Sequence, residues 1–209
     1  MRRALPAALL AVMLNSAAHG ATVNVAIAAN FSEVAEGLAP LFTAATGHVA
    51  IYSFGATGLL YTQITQGAPF EVLLAADSDR PRQAVEEGLA MKGTAFTYAF
   101  GTLVLYGPSL DVGMKLLQSG AFEHLAIADP RTAPYGVAAE SVLRALGIYN
   151  AVAPKLVVGE SIAQTLVFVE SGNAELGDVA RAVERGRLGQ KSLHLAAVVE
   201  PQGADRHRR

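Results

Sequence analysis

The sequence predicts an α/β fold built from doubly wound parallel sheets. Short apolar runs rich in Val, Ile, Leu and Ala, at residues 23–29, 71–76 and 125–128, are typical of buried strands. A segment with apolar residues at helical spacing follows each run. Strands that alternate with helices favour parallel sheets, in which ligands bind beyond the carboxyl ends of the strands.

The first strand and helix suggest how such a ligand is held. After residues 23–29, Phe31, Val34 and Leu38 begin an apolar stripe that continues through Leu41 and Phe42. Asn30 lies between strand and helix as a predicted N-cap, and Glu33 completes a capping-box pattern. A capped helix start offers free N–H groups to an anion. A single capped helix start is common in proteins and predicts nothing by itself. The repetition of this arrangement along the chain is what predicts an anion-binding site.

The same strand, polar turn and helix start recur three more times. The turns contain Thr57 after residues 48–54, Tyr135 after residues 125–128 and Ser161-Ile162 after residues 155–159. Arg131 is the only Arg or Lys near them. Several neutral donors that converge can hold a small oxyanion. Such a site suits a fully ionised tetrahedral dianion, because a protonated anion also needs an acceptor for its proton.

Composition and motifs argue against an enzyme. The chain has 209 residues, 52% hydrophobic and 16% charged, enough for one large domain or two small ones. It has no Cys, and therefore no thiolate metal site or Cys nucleophile. No G-x-S-x-G motif occurs, and no His residues pair at metal-ligand spacing. We therefore predict no catalytic residue, no cofactor and no directly coordinated metal.

Residues 1–20 are predicted to be a secretory signal peptide, cut before Ala21. Arg2 and Arg3 precede an apolar segment at residues 4–14 that is too short to span a bilayer. Removal of residues 1–20 takes away two arginines and no acidic residue, so the formal net charge of the chain goes from −2 to −4. This charge disfavours nucleic acid as a partner and, with the leader, indicates a periplasmic protein.

A β-rich segment at residues 96–106, with Gly101 part way along, predicts an extended ribbon that crosses between two domains.

Several short segments, taken together and in order, resemble those of periplasmic molybdate-binding proteins, the soluble substrate-binding components of molybdate ABC transporters. The resemblance runs from about residue 23 to about residue 179, and its segments are residues 28–31, 53–58, 67–69, 75–77, 96–99, 133–136, 159–165 and 172–177.

The resemblance implies a type II-like periplasmic-binding-protein fold, with two doubly wound lobes joined by a hinge and the oxyanion held between them. It divides the chain into lobe 1 at residues 21–98, lobe 2 at residues 99–190, and the start of a return to lobe 1 with a polar tail at residues 191–209. It implies a monomeric receptor for molybdate, and for tungstate too, that delivers the anion to a membrane permease.

The resemblance also implies the oxyanion-binding residues. Asn30 matches a side-chain donor of the first lobe, with Ala29 beside it. Thr57 matches a position that usually carries a serine hydroxyl. Tyr135 and Ile162 match positions that offer backbone N–H groups from the second lobe. These are the turns that the residue pattern indicates independently.

The sequence departs from the family pattern in two places. Ala180 stands where some relatives have a tyrosine contact, and the sequence ends in a polar tail at residues 203–209 where the family completes its first lobe. The first lobe is therefore expected to be incomplete, with exposed apolar surface, as in a truncated or frameshifted and non-functional copy.

Three further functions stay open at the level of the sequence. They are a receptor for sulfate or phosphate, the ligand-sensing domain of a regulator, and a hydrolase on a doubly wound sheet. The leader and the lack of a helix-turn-helix segment disfavour the regulator, and the missing nucleophile disfavours the hydrolase.

Overall fold

The computed structural model describes residues 20–108, 112–180 and 192–198. The predicted signal peptide at residues 1–20 lies, except for Gly20, outside this range, as does the predicted polar tail. No helix within the described ranges is long and apolar enough to cross a membrane.

The described residues form two sheets, each with helices packed against it. The first is a parallel sheet of three strands in the order β2-β1-β3. Its strands are β1 (Thr22–Ala28), β2 (Val49–Gly55) and β3 (Val72–Leu74), and its helical segments are a 3-10 turn (Ala29–Phe31), α1 (Ser32–Thr46), α2 (Thr57–Thr65) and α3 (Asp79–Glu86).

The second sheet has five strands in the order β6-β5-β7-β4-β8. Strands β5, β6 and β7 are parallel, and β4 is antiparallel to both of its neighbours. The strands are β4 (Thr102–Tyr106), β5 (Leu125–Ala128), β6 (Leu156–Gly159), β7 (Leu176–Ala180) and β8 (Ser192–Val198), and the helical segments are α4 (Met114–Ser119), α5 (Pro134–Ala145), α6 (Tyr149–Val152), a 3-10 turn (Ala153–Lys155) and α7 (Ile162–Glu170).

The largest core lies on the α5 face of the second sheet. Leu105, Leu125 and Leu176 are fully buried there, and Leu143 of α5 packs onto them. Their neighbours along the strands, such as Val104 and Val179, point to the α7 face, as the alternation of side chains along a strand requires. Burial on both faces explains why these strands are apolar without interruption.

The start of α1 differs from the prediction. Asn30 is not an N-cap: it lies inside the 3-10 turn Ala29–Phe31, and α1 begins at Ser32 with no side-chain cap. The predicted capping box with Glu33 is therefore wrong. The physical reason is that the chain already enters a 3-10 turn at Ala29, so the residue that precedes α1 is Phe31, whose side chain has no oxygen with which to cap the helix.

The apolar stripe on α1 is largely uncovered among the described residues. Ala35 is the buried residue of this helix, whereas Val34, Leu38 and Leu41 are 38, 46 and 64% exposed. Among the described residues the first sheet has three strands, and β3 pairs with β1 alone. These strands leave much of the apolar face of α1 exposed. The predicted incompleteness of the first lobe stays a prediction.

The predicted long ribbon is shorter than expected. Of this segment only Thr102–Tyr106 form a strand, while residues 95–101 belong to neither a helix nor a strand. Phe96 and Phe100 are 81 and 72% exposed. Aromatic and β-branched residues favour a strand only where a partner strand is present, and the structure describes none beside this segment.

The proposed lobe boundaries at residues 98 and 99 remain a prediction. Each sheet contains the same parallel arrangement, β2-β1-β3 in the first and β6-β5-β7 in the second. Within residues 191–209 the structure describes only β8, which pairs with β4 in the second sheet and not with the first.

Gly136 lets the start of α5 pack closely against the end of β5. A Cβ atom there would overlap the Ala128 carbonyl oxygen and lie 2.7 Å from the backbone nitrogen of Pro130. We therefore expect Gly136→Ala to lower the free energy of unfolding by about 1–3 kcal/mol. Gly37→Ala, in the exposed middle of α1 with nothing within 4 Å, is the control and should be neutral or stabilising. Urea unfolding measures the free energy of unfolding of both variants and of the wild type. Equal values for Gly136→Ala and Gly37→Ala would contradict the prediction.

Asp178 is a carboxyl group inside the second sheet. It is 2% exposed, and its Oδ1 atom has no hydrogen-bond partner among the described residues. Burial raises the pKa of Asp178 to about 7. The folded protein therefore keeps the proton of this carboxyl group up to about pH 7, whereas the unfolded chain releases it at about pH 4. The stability that this protonation supplies is complete below about pH 4 and is lost as the pH rises to about 7.

We expect Asp178→Asn to be more stable than the wild type at about pH 8 and to lose this advantage toward about pH 5, because an amide needs no proton. Urea unfolding across this range measures the difference, and Glu36→Gln at an exposed position on α1 is the control. A less stable Asp178→Asn protein at about pH 8 would mean that the native carboxylate is charged and paired.

Candidate functional site

The predicted oxyanion-binding residues meet at one small cavity between the two sheets. All five of them, from four separate segments, line it, together with small and apolar neighbours. The lining residues are Ala28, Ala29, Asn30, Gly55, Ala56, Thr57, Ala76, Ala133, Pro134, Tyr135, Ser161 and Ile162.

Parallel strands position these residues. Ala29 and Asn30 follow β1, and Thr57 follows β2; Tyr135 and Ile162 follow β5 and β6 in the second sheet. The carboxyl ends of neighbouring parallel strands lie at the same edge of a sheet, so each sheet brings two helical segment starts together. Ala29, Thr57, Tyr135 and Ile162 are each at most 5% exposed. These four residues are therefore largely shielded from bulk water.

The hydroxyl proton of Thr57 has no acceptor among the described residues. It is the first residue of α2 and is 1% exposed. Its Oγ1 atom accepts a hydrogen bond from the Ala76 backbone nitrogen at 3.0 Å. A hydroxyl group both accepts and donates, so this contact fixes the oxygen and leaves the proton free for an acceptor in the cavity.

Helix starts of the second lobe offer backbone donors. Tyr135 is the second residue of α5, after Pro134, and Ile162 is the first residue of α7. The first N–H groups of a helix have no acceptor within it and carry the positive end of its dipole. Ser161 caps α7 by accepting from the Gln164 backbone nitrogen at 3.4 Å. Its side chain is thus occupied locally.

Asn30 and Tyr135 connect the two lobes inside the site. Burial raises the pKa of Tyr135 to about 12, with a smaller contribution from the nearby Tyr98, and a hydrogen bond with the Asn30 side chain opposes this rise. The Tyr135 hydroxyl therefore stays protonated at neutral pH. Oδ1 of Asn30 is buried and has no partner among the described residues.

A second contact between the lobes lies beside the cavity. The Gly58 backbone nitrogen, in the first turn of α2, donates a hydrogen bond to the Thr132 carbonyl oxygen at 2.8 Å. A Cβ atom at position 58 would lie 2.8 Å from that oxygen and 3.2 Å from the Thr132 Cα atom. Glycine is therefore required for this approach of the two lobes.

None of the described residues that line the cavity carries a charged side chain. Arg131, the cation that the sequence places near these turns, has a side chain that is 85% exposed, and it pairs with Asp129 at 2.6 Å. The Arg131 guanidinium lowers the pKa of Asp129. An anion in this cavity would therefore be held by neutral groups and helix dipoles.

One other group of side chains within the described ranges could approach a metal ion. Ligand atoms of Glu123, His124 and Glu175 lie within 4.8 Å of one another. These residues precede β5 and β7, at the opposite end of the sheet from the cavity, and Glu123 and His124 are exposed. Exposed acidic groups of this kind are common without a metal, so we assign no metal site there.

Sequence reasoning missed the contacts made across the cleft. It selected Tyr135 for its backbone N–H group, whereas the structure also gives its hydroxyl a partner on the other lobe, Asn30. It did not single out Gly58 or Thr132 as an interlobe contact. No local signal marks such contacts, since each joins residues that are far apart in the chain.

Comparisons with known proteins identify the family to which the chain belongs. The profile of the family described as bacterial extracellular solute-binding protein matches residues 23–202. The molybdate-binding protein ModA of Rhodobacter capsulatus is 51% identical over 170 residues, which cover 80% of this chain and 67% of that protein. ModA of Azotobacter vinelandii is 51% identical over 176 residues, covering 83% of this chain and 70% of that protein.

The solved structure of the Azotobacter vinelandii periplasmic molybdate-binding protein superimposes with a TM-score of 0.72 at 37% identity, covering 76% of this chain and 71% of that one. The predicted type II-like periplasmic-binding-protein fold is thereby confirmed. Proteins of this kind bind a solute and catalyse no reaction, as predicted. The chain belongs to the family of bacterial extracellular solute-binding proteins.

Proposed function

We propose that this protein is a periplasmic receptor that binds molybdate, and also tungstate, between its two lobes. The observation that carries the proposal is that Asn30, Thr57, Tyr135 and Ile162, from both sheets, line one small cavity whose described lining residues carry no charge. The names of the relatives at 51% identity, both molybdate-binding proteins, support the choice of ligand.

The donors proposed for the anion are the Asn30 side chain, the Thr57 hydroxyl and the backbone N–H groups near Ala29 and at Tyr135 and Ile162. All are neutral, and all but Asn30 belong to residues at most 5% exposed. Hydrogen bonds to a charged acceptor contribute roughly 1.5–3 kcal/mol each. Several of them together are sufficient for a Kd of about 1 μM or lower.

The proposal extends to transport. The leader predicted at residues 1–20 would export the chain to the periplasm. The anion would enter while the lobes are apart, and the approach of Gly58 to Thr132 would close them around it. The closed monomer would then dock on the permease of an ABC transporter and release the anion to it. The solute-binding family supports this role in general terms.

Isothermal titration of the mature protein with molybdate tests the function, with tungstate, sulfate and phosphate as competitors. We expect binding with a Kd of about 1 μM or lower, and competition by tungstate alone at equal concentrations. Absence of heat with molybdate and tungstate would overturn the proposal. Stronger binding of sulfate would instead assign a receptor for another tetrahedral anion.

Replacing the Thr57 hydroxyl tests the site itself. Thr57→Val keeps the shape of the side chain but removes the donor, so we expect the Kd for molybdate to rise by roughly 10- to 100-fold. Thr57→Ser restores the hydroxyl and should bind within about threefold of the wild type. Equal affinities of the Val and Ser variants would exclude the hydroxyl as a ligand. Thermal melts of both variants control for the lost bond to Ala76.

Gly58→Ala tests closure. Alanine favours a helix over glycine by about 1 kcal/mol, so α2 and the overall melting temperature should not suffer. Its methyl group would however meet Thr132 and hold the lobes apart. We expect molybdate affinity to fall about tenfold or more, and small-angle scattering to show no compaction on adding molybdate. Gly37→Ala is the control. Unchanged affinity and compaction in Gly58→Ala would refute this role of the contact.

A further inference from the structure

One peptide group of the first lobe links two side-chain hydroxyl groups. It joins Ala75 to Ala76, directly after β3. Its carbonyl oxygen, on Ala75, accepts a hydrogen bond from the Tyr98 hydroxyl at 2.9 Å. Its N–H group, on Ala76, donates to the Oγ1 atom of Thr57 at 3.0 Å. The direction of both bonds follows from their chemistry, because a carbonyl oxygen only accepts and a backbone N–H group only donates.

The two bonds form a chain that ends at the cavity. Thr57 and Ala76 are among the residues that line the cavity, whereas Tyr98 is not. The chain runs from the Tyr98 hydroxyl through the peptide group to the Thr57 oxygen, whose own proton remains for an acceptor in the cavity. Hydrogen bonds in a chain polarise one another, so the bond from Tyr98 strengthens both the N–H group and the Thr57 hydroxyl as donors.

The Tyr98 side chain is held so that its hydroxyl reaches this peptide group. Its ring lies edge-on against the ring of Phe31, with centroids 5.2 Å apart and planes at 72°. Burial raises the pKa of Tyr98 to about 12, so the hydroxyl keeps its proton at neutral pH. Tyr98 belongs to residues 95–101, which lead into β4 of the second sheet and have no strand pairing of their own. Its contacts therefore attach this connecting segment to the first lobe, beside the site.

We propose that Tyr98 is a positioning residue of the anion site, whose hydroxyl fixes the peptide group that holds the Thr57 oxygen and so directs the Thr57 proton toward the anion. Tyr98 does not touch the anion itself. Without its bond the peptide group can tilt, and the Thr57 hydroxyl loses its fixed direction. This inference rests on the proposed anion-binding function and extends it to a residue outside the cavity. It gives the segment that leads to the second sheet a part in the affinity for the anion.

A double-mutant cycle in molybdate titrations tests the inference, with the variants Tyr98→Phe, Thr57→Val and the two combined. Tyr98→Phe keeps the ring and its contact with Phe31 and removes only the hydroxyl. We expect it to raise the Kd roughly 3- to 10-fold. In the Thr57→Val background, Tyr98→Phe should change the Kd by less than about 1.5-fold, since its effect passes through the Thr57 hydroxyl.

Tyr61→Phe is the matched control. Tyr61 is also a tyrosine of the first lobe, but its hydroxyl donates to the Glu87 carboxylate, and neither residue lines the cavity. We expect this variant to bind molybdate within about 1.5-fold of the wild type. Either of two results would overturn the inference: no loss of affinity in Tyr98→Phe, or a loss that persists in full in the Thr57→Val background.

Proton NMR of the anion-free protein gives a readout that a general loss of stability would not produce. The signal of a backbone amide proton moves upfield when its hydrogen bond weakens. We expect Tyr98→Phe to move the Ala76 amide proton signal upfield, and Tyr61→Phe to leave it in place. An unchanged Ala76 signal in Tyr98→Phe would overturn the inference even if the affinity falls. Wild-type protein that binds neither molybdate nor tungstate would instead overturn the proposed function, and the role of Tyr98 with it.

Discussion

An oxyanion site without a charged side chain depends on bringing N–H and O–H groups from separate segments to one point. In this protein the parallel strand pairs β1-β2 and β5-β6 meet that constraint. Each sheet brings two strand ends together, so the segments that follow β1, β2, β5 and β6 reach a shared cavity. Burial of the site then strengthens each hydrogen bond, because water does not compete for the donors.

Glycine at a few positions makes this convergence possible. Gly136 allows α5 to start directly against the end of β5, and Gly58 allows the first lobe to approach Thr132 of the second. Gly101 leaves space for the Tyr135 hydroxyl. In each case a side chain would displace backbone or a functional group. The site therefore depends on close backbone approaches as much as on the side chains that line it.

The sequence predicted several residues that line the cavity, because strand and helix patterns are local. Thr57 and Ile162 stand at helix starts that alternating apolar runs already indicate. The prediction of Asn30 as an N-cap was wrong, since a 3-10 turn over Ala29–Phe31 precedes α1 and leaves Phe31 at the cap position. Residues 96–101 carry a strand-like composition but have no partner strand among the described residues. In both cases residue type alone does not determine the local structure that the rest of the fold allows.

In the proposed complex, neutral groups of both lobes surround the anion. Anomalous diffraction at the molybdenum absorption edge, from crystals grown with molybdate, would locate the metal directly. We expect one molybdenum peak in the cavity, with oxygens about 2.7–3.2 Å from the Thr57 hydroxyl and from the backbone nitrogens of Tyr135 and Ile162. A peak elsewhere, or oxygens bound by Arg or Lys side chains, would contradict it.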